Sequence, residues 1–193
     1  MFQSNSQEKK QLIISFIPVI LSVLVSFLIS NTTNNYQTYV WGQMPLSKVV
    51  GAVNNSFSAA YPIIHVFFLV ITSRMMLFIL SVNIERIKVL TSFAYSYIVM
   101  LLSLSFFLYN LLAFQSKFLS IKTAVEISNI KLAFGLNLSD FGIISLIAYY
   151  AMIALATLIL WFKNKRKNLF SIAISFSIPS MLVVLIQNVL QLF

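Results

Sequence analysis

The sequence predicts an all-α fold, a polytopic membrane bundle of five transmembrane helices with its N-terminus inside and its C-terminus outside. Three observations predict it. Five apolar runs, roughly Leu12–Ser30, Tyr61–Val82, Val89–Phe114, Gly142–Phe162 and Leu169–Phe193, fill most of the chain. Each is about 19 to 26 residues long, against the roughly 20 that carry a helix across a hydrocarbon core of about 30 Å. The acidic residues Glu8, Glu85, Glu126 and Asp140 all fall outside these runs. Charged residues make up only 9% of the 193, hydrophobic ones 60%, and the mean hydropathy is +0.93; soluble domains carry about a quarter charged residues. In lipid each span must satisfy its own backbone hydrogen bonds, which calls for helices, and a β-barrel would show alternating ten-residue segments instead of continuous runs. Residues 1–193 therefore read as a single integral membrane domain.

The first run is long for a signal-peptide core and no small-residue cleavage site follows it, so it reads as a retained helix. Asn31-Thr32-Thr33-Asn34-Asn35 then reads as a loop by composition. After Pro45, the residues Leu46, Val49, Val50, Val53 and Phe57 recur at helical spacing. They predict either an amphipathic helix on the outer interface or a short helix over the bundle mouth. The second run holds His65 and Arg74. Asn83 with Glu85 and Arg86 forms a tight turn into the third, so these two helices form an antiparallel hairpin. Leu119–Leu138 carries a weaker helical pattern with Lys122 and Glu126 one turn apart. Lys163, Lys165, Arg166 and Lys167 separate the last two runs.

Basic residues orient the bundle. With the N-terminus cytoplasmic, the inside segments hold eight of them, Lys9, Lys10, Arg86, Lys88, Lys163, Lys165, Arg166 and Lys167, and the outside segments hold four, Lys48, Lys117, Lys122 and Lys131. That satisfies the positive-inside rule. The net charge of +9 thus reads as a topology signal, with no nucleic-acid partner implied.

The absences exclude most chemistry. No cysteine is present and there is one histidine, so no thiol nucleophile and no metal site is expected. Paired intramembrane carboxylates, a phosphate-binding loop and a metalloprotease motif are all missing. No catalytic residue and no cofactor is expected. Arg74 is the residue to watch, because ionisable groups within spans mark function by default. It lies about eight residues, or about 12 Å, from the inner end of its run. Three readings stand: it snorkels to the inner headgroups, it meets an acidic group of a partner or a lipid phosphate, or it serves transport. His65, nine residues away, lies on the opposite helix face. His65, Asn110, Gln187 and Asn188 are polar groups available to line the bundle, with interhelical packing the competing reading.

From residue 83 the chain reads Asn83-Ile-Glu-Arg-Ile-Lys-Val-Leu-Thr-Ser-Phe-Ala-Tyr-Ser-Tyr97. This stretch, with its polar turn, its hydrophobic-basic segment and the element Ala94-Tyr95-Ser96, resembles the Yip-domain family of five-span membrane proteins, and the resemblance covers residues 60–193 in pattern. It departs from the family where Ile98-Val99-Met100 replaces the proline common after the tyrosine element, and the DLYGP signature of the eukaryotic branch is missing. The resemblance implies a non-enzymatic partner protein, since bacterial relatives accompany ABC-type efflux assemblies beside a permease, an ATPase and an adaptor. The expected function is an accessory or assembly subunit of a bacterial membrane complex, with an ABC-type exporter of peptides or toxins as the expected complex, in the cytoplasmic membrane and in contact with lipids. The alternatives are a small substrate-binding or permease component of a transporter, and a self-immunity protein against a membrane-active peptide.

Overall fold

A computed structural model of the protein describes residues 2–41, 45–119 and 130–190, with side chains described within 9–36, 52–119, 130–138 and 140–185. Every regular element among the described residues is helical. In chain order these are α1 (Phe2–Trp41), α2 (Pro45–Ile79), α3 (Arg86–Ser96), α4 (Ile98–Ala113), α5 (Gln115–Leu119), a 3-10 turn at Ala133–Gly135, α6 (Leu138–Lys163) and α7 (Leu169–Leu190). Among the described residues, four helical stretches are long and apolar enough to cross a membrane: Lys9–Tyr36, Ala52–Ile79, Arg86–Ala113 and Asp140–Lys163. A shorter apolar stretch, Leu169–Leu185, follows in α7.

Two of the sequence expectations are corrected. Asn31–Asn35 is not a loop, because α1 runs through it to Trp41. Its polar side chains find partners within α1 and on α2. The Thr33 hydroxyl donates back to the carbonyls of Ile29 and Ser30, both at 2.9 Å, and the Asn34 amide donates to Asn55 at 2.7 Å. Nor is the segment after Pro45 a separate surface helix, since α2 is continuous from Pro45 to Ile79. The Lys122–Glu126 pair lies outside the described residues.

Helix α1 presents small residues inward and large ones outward. On α1, Ser15, Pro18, Val19 and Ser22 are buried while Ile13, Ile14, Ile17, Ile20 and Leu24 are exposed. Lipid tails are as apolar as leucine, so large side chains gain nothing by hiding, and small residues let helix backbones approach for dispersion contact.

The chain divides into two compact units. One consists of Met1–Val19, Ile63–Ile98 and Tyr150–Phe193. Its interior holds Val66 and Leu69 of α2, Val89 and Phe93 of α3, Met152, Ala156 and Leu160 of α6, and Ile172 and Phe176 of α7. The Phe93 and Phe176 rings stack at 4.3 Å. Within this unit α2 and α6 end alike. Ser81 and Lys165 adopt left-handed backbone (φ 56° and 55°). The Ser81 amide donates to Phe78 and that of Val82 to Leu77, while the Lys165 amide donates to Phe162 and that of Arg166 to Trp161. This double bond pattern captures the last carbonyls of a helix and turns the chain sharply.

The other unit consists of Ile20–Pro62 and Val99–Tyr149. Its apolar centre is Tyr36, Leu111, Phe118, Ile130, Leu132 and Phe141. Tyr36 stacks on Phe118 at 5.4 Å with the rings nearly parallel, and its hydroxyl donates to the Leu111 carbonyl at 2.9 Å.

Candidate functional site

Arg74 sits where α2 turns its 67, 70, 71, 74 and 78 positions toward the start of α3. The one-turn spacing of these positions lays them along one helix face. With Arg86 and Leu90, one turn apart on α3, and with Met75 and Ile79, they line a cleft of about 520 Å³. A second cavity of about 620 Å³ lies beside Arg74, bounded by the α2–α3 turn from Leu77 to Ile84. Both lie within the first unit.

The electrostatics of the cleft are one-sided. Two guanidinium-bearing residues line it and no acidic residue does. The Arg74 Nη1 is buried and has no hydrogen-bond partner among the described residues. The nearest acid in sequence, Glu85, accepts a bond from Lys88 Nζ at 2.7 Å one turn along α3. A buried donor left without a partner costs about 1–3 kcal/mol, and more when it is charged. Arginine answers such a deficit well, because its planar fork binds a carboxylate or phosphate through two parallel bonds. A carboxylate or phosphate would satisfy that group, and the remaining walls of the cleft, among them the strongly exposed Ile71, Met75, Phe78 and Ile79, are apolar.

His65 belongs to a different face. It is buried, with Nδ1 3.3 Å from the Tyr97 hydroxyl and its ring set edge-on to Tyr97 at 5.9 Å. No cluster of three or more metal-ligating side chains exists among the described residues. Asn110 is fully buried and serves the backbone: its amide donates to the Phe106 carbonyl at 2.9 Å and its carbonyl oxygen accepts from the Ala133 amide at 3.0 Å. The side chains of Gln187 and Asn188 lie outside the described residues.

Among the basic cluster, Lys163 is an internal tie. Its ammonium donates to the Thr91 hydroxyl at 2.6 Å and lies 5.1 Å from the centre of the Tyr95 ring. The Tyr95 hydroxyl in turn donates to the Gln11 carbonyl at 3.4 Å, so Tyr95 links Lys163 of α6 to α1. Arg166 lies over the Phe162 ring at 5.2 Å. Ala94 and Ser96, which flank Tyr95, are both fully buried.

The residue that sequence reasoning missed is Arg86. It was counted with the topology charges, and the tight turn at Asn83–Glu85 was the signal that could have joined it to Arg74. A hairpin that short returns the chain to the end of the helix it has left. Set against known protein families, characterised proteins and solved structures, the chain matches none of them.

Proposed function

We propose that the protein is a non-enzymatic integral membrane subunit of a larger bacterial membrane complex, and that its Arg74–Arg86 cleft docks an acidic side chain on a partner's membrane helix. One observation carries this reading: the Arg74 Nη1 is buried without a partner among the described residues, in a cleft that no acidic residue lines. A partner carboxylate would supply the missing acceptor and neutralise a charge that is expensive to hold in lipid. Exposed Ile71, Met75 and Phe78 offer apolar surface for the helix that carries it.

The reading includes five spans with the N-terminus inside. The α7 helix, 22 residues long, rises about 33 Å, enough to cross a hydrocarbon core of about 30 Å. The distribution of basic residues supports the orientation. The narrower assignment, to an ABC-type exporter of peptides or toxins in the cytoplasmic membrane, draws on the Yip-domain resemblance of residues 83–97.

The test is affinity purification of the tagged protein from its native membrane in mild detergent, followed by mass spectrometry. A permease and an ATPase recovered in near-stoichiometric amounts support the exporter assignment, and any other stable membrane partner supports the subunit role alone. Recovery of the chain by itself overturns both.

A further inference from the structure

The second unit contains a cavity of about 510 Å³ with a chemistry of its own. Its walls follow a repeated pattern. On α1 they are Ser26, Ile29, Ser30 and Thr33, and on α2 they are Asn54, Phe57, Ser58 and Tyr61. Both sets fall at i, i+3, i+4 and i+7, which is the spacing of one continuous helix face. Such faces ordinarily close on each other. Here serines occupy positions where large side chains would fill the seam, and Leu104 and Phe107 of α4 with Ser145 of α6 complete the walls of an open groove. Ligand sites commonly measure about 300 to 1,000 Å³, and this groove of about 510 Å³ falls within that range.

The lining is neutral throughout, and among the described residues one buried hydroxyl in it lacks a partner. Ser30 is 4% exposed, and its Oγ has no hydrogen-bond partner among the described residues. Two neighbouring polar groups are already engaged: the Thr33 hydroxyl donates to backbone carbonyls, and the Asn54 amide reaches the Asn34 side chain at 3.5 Å. Polar groups thus gather on one side of each face, and Ile29, Phe57, Leu104 and Phe107 supply apolar wall. Phe57 is 70% exposed, so the cavity opens at the protein's surface beside it.

We infer that this cavity binds a neutral amphiphile bearing an uncharged hydroxylated head group, which hydrogen-bonds Ser30 while its tail lies along Phe57 and Phe107. An anionic or cationic head would enter without a counter-charge, which a low-dielectric site penalises heavily. The inference stands apart from the subunit role, because it concerns other residues and predicts binding by the isolated protein.

The experiment uses purified full-length protein in nanodiscs and a monoacylglycerol carrying a photoreactive diazirine in its tail. The controls are a fatty acid and an alkyl-trimethylammonium with the same tail. The monoacylglycerol should label peptides covering residues 26–33 and 54–61 at least about tenfold more than either charged probe, and unlabelled monoacylglycerol should compete. Ser30→Ala should lower labelling roughly two- to tenfold, the loss of one hydrogen bond. The pair Ser30→Leu and Ser58→Leu, which fills the cavity, should abolish it. Equal labelling by all three head groups, labelling elsewhere in the chain, full competition by glycerol alone, or unchanged labelling of Ser30→Ala would each overturn the inference.

Discussion

The two compact units hold cavities of nearly equal size and opposite character. In the first, a cleft of about 520 Å³ is lined by Arg74, Arg86 and apolar side chains. In the second, a cavity of about 510 Å³ is lined by four serines, a threonine, an asparagine and aromatic rings, with no charge at all. The helix spacing behind both is the same, and each is bounded by side chains of α2. What differs is what stands at the one-turn positions. Long cations at two of them make a site that lacks an anion. Short hydroxyls at several of them make a site that lacks volume and a hydrogen-bonding partner. In lipid, where apolar burial no longer ranks helix faces, these few polar choices decide what a surface can receive.

Charge should govern the first unit alone. Arg74→Glu places a carboxylate in the cleft and should eliminate partner recovery, while Arg74→Leu should reduce it more than about tenfold, since buried charge pairs carry several kcal/mol when one member is removed. Arg86, which is exposed, can keep its hydration, so Arg86→Leu should weaken recovery less. Quantitative mass spectrometry of co-purified partners reads all three. Equal losses at Arg74 and Arg86 would mean that burial does not rank the two.

Asn110 offers a converse test in the second unit. Asn110→Ala strands the Ala133 amide and removes the bond to Phe106, so stability should fall by about 1–3 kcal/mol. Partner recovery should hold as long as the protein remains folded. Denaturation in mixed micelles measures the first effect. A loss of partner with no loss of stability would break the separation between the two sites.

Tyr36→Phe is a milder probe of the same unit. It keeps the stack on Phe118 and removes only the bond to the Leu111 carbonyl, so a loss of about 1 kcal/mol is expected in the same assay. The smallest effect should come from Ser81→Gly at the end of α2. Glycine adopts the left-handed backbone without the steric penalty that serine bears there, and part of that gain is returned through a more flexible unfolded chain. A stabilisation below about 1 kcal/mol, with partner recovery unchanged, would show that this helix end shapes the hairpin without contributing charge to the cleft.

Much of the fold was legible in the sequence, and the sites less so. Continuous apolar runs announce membrane helices because only a helix satisfies its backbone in lipid. The prominence of Arg74 follows from the same reasoning. Asn31–Asn35 misled because composition speaks for a loop only while its polar side chains lack partners, and here Thr33 and Asn34 find them within α1 and on α2. The pairing of Arg74 with Arg86 depends on how sharply the chain reverses, which rests on the left-handed Ser81, a residue with no glycine signature. The hydroxyl-lined cavity had a visible trace in the matching spacings of 26, 29, 30, 33 and 54, 57, 58, 61. That trace is split across the boundaries of the runs, because Thr33 falls in a segment that reads as a loop and Asn54, Phe57 and Ser58 fall before the second run.

The most direct test of the subunit role compares partner recovery by wild-type protein and by Arg74→Leu, each tagged and purified side by side from native membranes in mild detergent. The account predicts a near-stoichiometric membrane partner with the wild type and its loss with Arg74→Leu at equal yield of the folded chain. Wild-type protein recovered alone, or a partner retained in full by Arg74→Leu, would contradict it.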